Sequence, residues 1–331
     1  MFDFVRRRNF YYLLSLLVLL PGVISLIIPP ALKAGIEFTS GTTFTARFQN
    51  EVEEDELRSA LGDLGHPEAR VQRTGENKFL VRTSELKGTT EAPPLGPAPE
   101  GERDILEAAL VERFGSMVDA DGEVVDRFIE YASVSATVSR EIGRNAAIAV
   151  GAASVAILLY ISWAFRSIPN PFRCGIAATI ATLHDVVLVV GAYSLLGKLF
   201  DMEVNTMFIT GLLTVIGFSV HDTIVVFDRI RENNARYPDL DLPTSVNNSI
   251  LQTLGRSINT SFTVVLAVVA LLLIGGVTIR PFLVVMLIGV ITGTYSSIFV
   301  ASQILVTWEE RDIPRLFRRI AFRRAPAPSE G

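Results

Sequence analysis

The chain has 331 residues, 49% of them apolar, with 30 Lys+Arg against 35 Asp+Glu. Its mean hydropathy of +0.39 is too high for an ordinary soluble protein. Charge avoids six windows, 9–32, 145–165, 174–197, 204–227, 257–279 and 281–308, where Asp185 and Asp222 are the only Asp, Glu, Lys or Arg. A bilayer core needs about 20 apolar residues per helix, so the windows predict six transmembrane helices and exclude a soluble enzyme.

Taken in order, the first window follows Arg6-Arg7-Arg8 and ends in Ile27-Ile28-Pro29-Pro30. It is longer than a signal-peptide core and lacks a small-x-small cleavage site, so it reads as an uncleaved signal anchor. The stretch from 31 to 140 carries 12 Lys+Arg and 21 Asp+Glu. Its pattern predicts a strand at 42–49, a helix at 51–64, a hairpin of 70–73 with 78–83 around Gly75-Glu76-Asn77, a Pro- and Gly-rich linker at 91–101, a helix at 104–114 and a strand at 124–133. The order β-α-β-β-α-β predicts a ferredoxin-like α+β domain. Five spans then follow closely.

Arginine sets the orientation. With the N-terminus inside, the inner segments hold fifteen Arg, and the two short outer loops hold Lys198 and Arg280. Both termini are therefore expected in the cytoplasm, with the acidic domain outside. The expected organisation is a basic start and first transmembrane helix at 1–32, a periplasmic α+β domain at 33–140, five transmembrane helices at 141–308 with a helical cytoplasmic loop at 228–256, and a basic cytoplasmic tail at 309–331. The tail reads as a topology signal that also attracts anionic lipid. A docking role for a cytoplasmic partner is the sharper reading of it.

Enzyme signatures are missing. Cys174 is the single cysteine, so neither an intrachain disulfide nor a thiolate metal cluster is available. There are three histidines, with no H-E-x-x-H and no phosphate-binding G-x-x-x-x-G-K-[ST]. The sequence therefore calls for no cofactor, metal or catalytic residue. The informative groups are charges inside apolar helices, since a mid-membrane Asp costs about 2.5–3.5 kcal/mol to insert. Asp222 is the first of these. It lies seventeen residues past Asn205, and its plainer reading is an interfacial Asp bonded to a neighbouring helix. Arg256 opens the fifth span within about 5 Å of the same depth. It heads a stripe of Asn259 or Thr260 and Thr263, and it is equally readable as a plain positive-inside Arg. His184-Asp185 in the third span shares a face with Thr179 and Thr182. An imidazole beside a carboxylate suits a proton path, and a structural hydrogen bond explains it as well. His221 points about 100° away from Asp222. Gly289, Gly293, Ser297 and Ala301 are spaced for close helix packing.

Several blocks resemble the SecF family, within the SecD/SecF group of the RND superfamily. They are 35–42 (GIEFTSGT), 183–186 (LHDV), 217–233 (GFSVHDTIVVFDRIREN) and 252–261 (QTLGRSINTS), and their order matches over almost the whole chain. The resemblance implies an RND-type six-helix half whose partner, SecD, is a separate chain. It implies work beside the SecYEG channel and its small membrane subunits, with the proton motive force promoting late translocation of unfolded preproteins across the bacterial inner membrane. It also implies a proton relay of Asp222, Arg256, Asp185 and His184. The chain departs from the family at Ser40-Gly41, at His221 and at 134–139, which touches the outer hinge. The alternative readings are an RND-type exporter of small molecules or lipids, which predicts an apolar cleft in the outer domain, and a passive scaffold of the channel.

Overall fold

The computed structural model describes residues 3–87, 101–119, 121–166 and 171–310. Residues 91–100 of the linker expected at 91–101, and 311–331 of the tail expected at 309–331, lie outside the described residues. The chain divides into two compact units, one of residues 34–145 and one of residues 1–33 with 146–331.

The smaller unit is an α+β sandwich. It holds a short helix α2 (Ile36–Thr39), β1 (Gly41–Arg47), α3 (Glu54–Asp63), β2 (Arg70–Gly75), β3 (Lys78–Thr83), α4 (Glu102–Phe114) and β4 (Glu130–Val134). The sheet order is β2-β3-β1-β4 with every neighbouring pair antiparallel. This is the interleaving of two split β-α-β units that the element order predicts. Period-two alternation sends Phe44, Ala46 and Phe48 to one face, where Leu57 and Leu61 of α3 and Leu106 and Leu110 of α4 cover them. Phe44 stacks on Phe128 at 3.9 Å between ring centres. The hairpin turns through Asn77 at φ 50°, a left-handed conformation that Asn tolerates. Acidic residues Glu54, Asp55 and Glu56 occupy the first turn of α3, where they complement the helix dipole.

One expected element is shorter than its pattern. The last strand begins at Glu130 rather than at 124. Asp126 breaks the run with φ 40°, and its carboxylate accepts the Met117 N–H at 3.2 Å. Val124 keeps an isolated bridge to Val118.

The larger unit is a helix bundle with α1 (Arg8–Ile27), α6 (Pro171–Phe200), α7 (Thr206–Arg236), α8 (Leu242–Ile274) and a last span, Arg280–Glu309. The sixth long helix, α5 (Ala136–Ala164), enters this unit at Ala146. All six are long and apolar enough to cross a membrane. Starts are set by caps. Asn205 accepts the Phe208 N–H and Asp241 accepts the Thr244 N–H. α7 and α8 run past the apolar windows as a helical hairpin, tied by Asn233 to Ser249 at 2.8 Å and by Arg229 to Gln252 at 2.6 Å.

Small residues decide which helices touch. α1 and α6 run parallel at a constant offset of 169 residues, with Ser15 opposite His184 and Ser25 opposite Ser194. Gly22 and Gly191 keep the same offset, and a Cβ on Gly22 would stand 2.9 Å from the Gly191 backbone. The last span comprises α9 (Arg280–Ser296), a π turn at Ser297–Ala301 and α10 (Ser302–Glu309). A Cβ on Gly289 would lie 2.1 Å from Val215 of α7, and one on Gly293 would lie 3.1 Å from Ser219. The glycine spacing in this span is therefore a packing device.

Two predictions follow from this packing. Gly289→Ala overpacks the α7–α9 seam and lowers stability by about 1–3 kcal/mol, which unfolding of the full chain in detergent measures. In the α+β unit, Glu68 is held at about pKa 2, below 4.5, by its own backbone N–H and by hydrogen bonds from Ser84 and Thr83. Stability from a lowered acid is present above pH 4.5 and drains away as pH falls toward 2. Glu68 is about half exposed, so the effect is screened. Glu68→Gln flattens this acid limb in a melting-temperature series across pH.

Candidate functional site

Asp185 is 1% exposed in the middle of α6. Three donors converge on it. Ser219 of α7 and Ser296 of α9 each give a hydroxyl hydrogen to Oδ2 at 2.6 Å. His184 Nδ1 lies 3.0 Å from Oδ1. The other ring nitrogen, Nε2, bonds Ser15 of α1. Three helices therefore meet at one carboxylate, with α1 joined to it through His184, and the carboxylate has the partners that a buried acidic group requires. Thr179 and Thr182 share the expected face, but each hydroxyl bonds back to its own helix, to Gly175 and Ala178.

The second buried carboxylate is built differently. Asp222 of α7 is 2% exposed, and its Oδ2 has no hydrogen-bond partner among the described residues. The hydroxyls of Thr294 and Ser261 flank it, and they hydrogen-bond to each other. Ser257, one turn earlier on α8, is 2% exposed, and its hydroxyl has no partner among the described residues. Thr223 faces another way and meets Ser297 at 2.9 Å. Both hydroxyls also lie within hydrogen-bond reach of the Ser219 carbonyl, at 3.1 and 3.0 Å, so the pair shares two hydrogens among three contacts. Helix α7 thus carries the Asp185 group through Ser219 and the Asp222 group one turn later.

Arg256 stands apart from both. It is exposed, whereas its neighbour Ser257 is buried. No ion pair joins Arg256 to Asp222 among the described residues. Asn259, Thr260 and Thr263 share its exposed face, and the two threonine hydroxyls bond back to their own helix. His221 is exposed beside buried Asp222, as the 100° step between helix neighbours requires. The structure therefore joins His184 to Asp185, sets Asp222 among α8 and α9 hydroxyls, and turns Arg256 away from the bundle.

Sequence reasoning passed over Ser15, Ser219 and Ser296. A signal for Ser15 was present, because with Gly22 and Ser25 it forms a small-residue set at seven- and three-residue steps in a largely apolar helix. Ser219 and Ser296 are ordinary helix serines until the bundle is assembled.

This is a multi-pass membrane protein with a buried acidic network and an α+β domain inserted after its first span. The profile of the family described as protein export membrane protein SecD/SecF, C-terminal, matches residues 117–311. The Protein translocase subunit SecF of Thermobaculum terrenum is 46% identical over 319 residues, covering 96% of this chain and 98% of that one. The SecF of Anaerolinea thermophila is 38% identical, with coverages of 96% and 98%. A crystal structure of SecDF from Thermus thermophilus superposes with a TM-score of 0.73 at 34% identity, covering 94% of this chain and 39% of that chain. The chain belongs to the SecD/SecF family of protein-export membrane proteins, multi-pass proteins of the bacterial inner membrane.

The geometry separates two substitutions at Asp185. Asp185→Ala strands two serine hydroxyls and the His184 N–H, at about 1–3 kcal/mol for each unsatisfied group. Asp185→Asn keeps an oxygen for the serines and turns an amide toward His184. Unfolding in detergent is expected to show the Ala variant as the less stable of the two.

Proposed function

We propose that this chain is one half of a proton-driven accessory to Sec protein export. A separate SecD chain supplies the other half, and the pair works beside SecYEG on unfolded preproteins late in translocation. The observation that carries the reading is Asp222, a buried carboxylate with an unpartnered oxygen inside a membrane bundle. Such groups are expensive in membranes and mark ion or proton pathways. Asp222 would take up and release the proton, with Arg256 as the fixed cation and His184–Asp185 as the second station.

A second half is supported from two directions. SecDF of Bacillus subtilis is 32% identical to this chain, which covers 39% of its length, so the relative has room for more than one such half. The exposed faces of α7 and α8 also carry polar residues within their apolar stretches. These are Thr210, Thr214 and His221 on α7 and Arg256, Asn259 and Thr260 on α8. A protein partner suits these faces better than lipid does, and it would give Arg256 acidic company.

The fifteen-to-two asymmetry of Lys and Arg supports cytoplasmic termini with residues of about 33–140 outside. One elementary charge crossing the membrane yields about 2.3 kcal/mol per 100 mV. That is enough to shift a two-state helix packing if the two states differ in their affinity for the proton. A cleft of about 700 Å³ in the α+β unit is lined by Glu51, Glu56, Glu112 and Arg113 beside Val52 and Phe114, a polar lining that does not favour the exporter alternative.

The test is Asp222→Asn in cells carrying only that copy. Proton-dependent late export of a secreted reporter is expected to be lost while the protein still accumulates and assembles. Normal export would end the reading. Truncation of residues 34–145 that alone abolishes export, beside a harmless Asp222→Asn, would show a passive scaffold.

A further inference from the structure

We propose that Ser15 is a positioning residue of the relay, its hydroxyl linking the proton on His184 to α1, the helix that leads into the α+β domain. This deepens the proton-relay reading and rests on it.

The argument starts from the acceptors of Asp185. Ser219 and Ser296 occupy Oδ2, which leaves Oδ1 for His184 Nδ1. A carboxylate oxygen accepts, so the neutral ring carries its proton on Nδ1 and presents a lone pair at Nε2. Ser15 then donates to Nε2. When the ring gains a second proton, Nε2 becomes a donor, and Ser15 must accept instead. The serine hydrogen then needs a new acceptor. On a helix that acceptor is the carbonyl four residues back, here Tyr11. The Tyr11 carbonyl already takes the helix N–H of Ser15 and the Tyr295 hydroxyl of α9 at 2.8 Å, so the serine hydrogen has to compete with Tyr295 for it. One proton on His184 therefore reverses a hydrogen bond at α1 and recruits a carbonyl on the α1–α9 contact.

The rest of the α1–α6 seam cannot register this event. Gly22 packs on Gly191 by backbone. Ser25 meets Ser194 at 2.7 Å, and Lys198 Nζ donates to the Ser25 and Ile28 carbonyls at 2.7 and 2.8 Å. Ser15–His184 is the contact on the seam that contains an imidazole, the side chain whose ordinary pKa is about 6.5. The other groups around the ring are known. Asp185 is the neighbouring charge, itself bonded to the hydroxyls of Ser219 on α7 and Ser296 on α9, and one turn before Ser15 on α1 stand Tyr11 and Tyr12. Tyr11 stacks on Phe299 at 4.5 Å between ring centres, and the Tyr12 hydroxyl meets Thr307 at 3.1 Å. Ser15 itself is 7% exposed, so water does not replace it readily.

The experiment is nitrogen-15 histidine NMR on the full chain in lipid vesicles, beside export measured across pH in cells that supply the partner. The chain has three histidines, and His66→Gln with His221→Gln assigns the His184 signals. In the unsubstituted chain the neutral ring is expected to show its proton on Nδ1 and a hydrogen-bonded Nε2. Ser15→Ala is expected to move the Nε2 resonance to that of an unbonded ring nitrogen. It should also displace the pH profile of export by about half a unit, a roughly threefold change in proton affinity. Ser15→Thr restores both. An unchanged Nε2 resonance in Ser15→Ala, or a changed resonance with an unmoved pH profile, overturns the proposal and leaves Ser15 a packing residue. If Asp222→Asn loses export while Ser15→Ala behaves like the unsubstituted chain, the Ser15 proposal alone falls. If Asp222→Asn exports normally, the relay falls, and with it the role of Ser15.

Discussion

An acidic group inside an apolar bundle has to be supplied with donors, and the packing around Asp185 is arranged to supply them. Desolvating an ion costs several kcal/mol unless hydrogen bonds replace its water. Ser219 and Ser296 must reach the same oxygen at 2.6 Å from two different helices. That requirement fixes the approach of α7 and α9 to α6. The glycines of α9 make the approach sterically feasible, with Gly289 against Val215 and Gly293 against Ser219. The small-residue stripe and the buried carboxylate are therefore parts of one device. A side chain at Gly293 would press on the serine that serves Asp185.

The parallel pair of α1 and α6 extends this device along its whole length. At one end Arg8 meets Glu310 at 2.7 Å and Arg173 meets Glu309 at 2.5 Å, so α1 and α6 are both tied to the end of α10. In the middle lie Ser15–His184 and Gly22–Gly191. At the other end Lys198 takes up two carbonyls at the close of α1, which a helix end otherwise leaves unsatisfied. Beyond the helix, Ser194 donates to the Ala31 carbonyl and Lys33 pairs with Asp201. Residues up to Lys33 are therefore tied to the end of α6, as far as the point where the chain leaves this unit.

Hydropathy and strand alternation were enough to read the architecture. The six apolar windows became six long helices, because length and charge exclusion are strong signals in lipid. The β-α-β-β-α-β order gave the sheet its 2-3-1-4 pairing. Strand β4 was overestimated because local pattern does not reveal a left-handed Asp126. In the site, His184 and Asp185 were legible as charged or polar neighbours in an apolar run. Their partners were not, since a serine in a helix has no sequence mark that distinguishes a donor to another helix from one bonded to its own backbone. Thr182 and Ser219 show the two outcomes. Depth alone also could not give the facing of Arg256. One residue's step around α8 separates the buried Ser257 from the exposed Arg256.

The two acidic groups differ in a way that bears on how they would work together. Asp185 has its donors within this unit, all from side chains that the fold holds in place. Asp222 is less fully served: the Ser261 and Thr294 hydroxyls beside it also bond each other, and its Oδ2 is without a partner among the described residues. The cation at similar depth, Arg256, sits on the outer face of α8. Completing the surroundings of Asp222 therefore requires either rotation of α8 or groups brought by another body against α7 and α8. Either event would make the state of Asp222 depend on helix packing, and helix packing depend on the state of Asp222. That reciprocity is what an electrochemical gradient needs in order to do mechanical work. A carboxylate already satisfied by a rigid shell could serve as a proton store or a hinge pin, but it would have little to gain from movement.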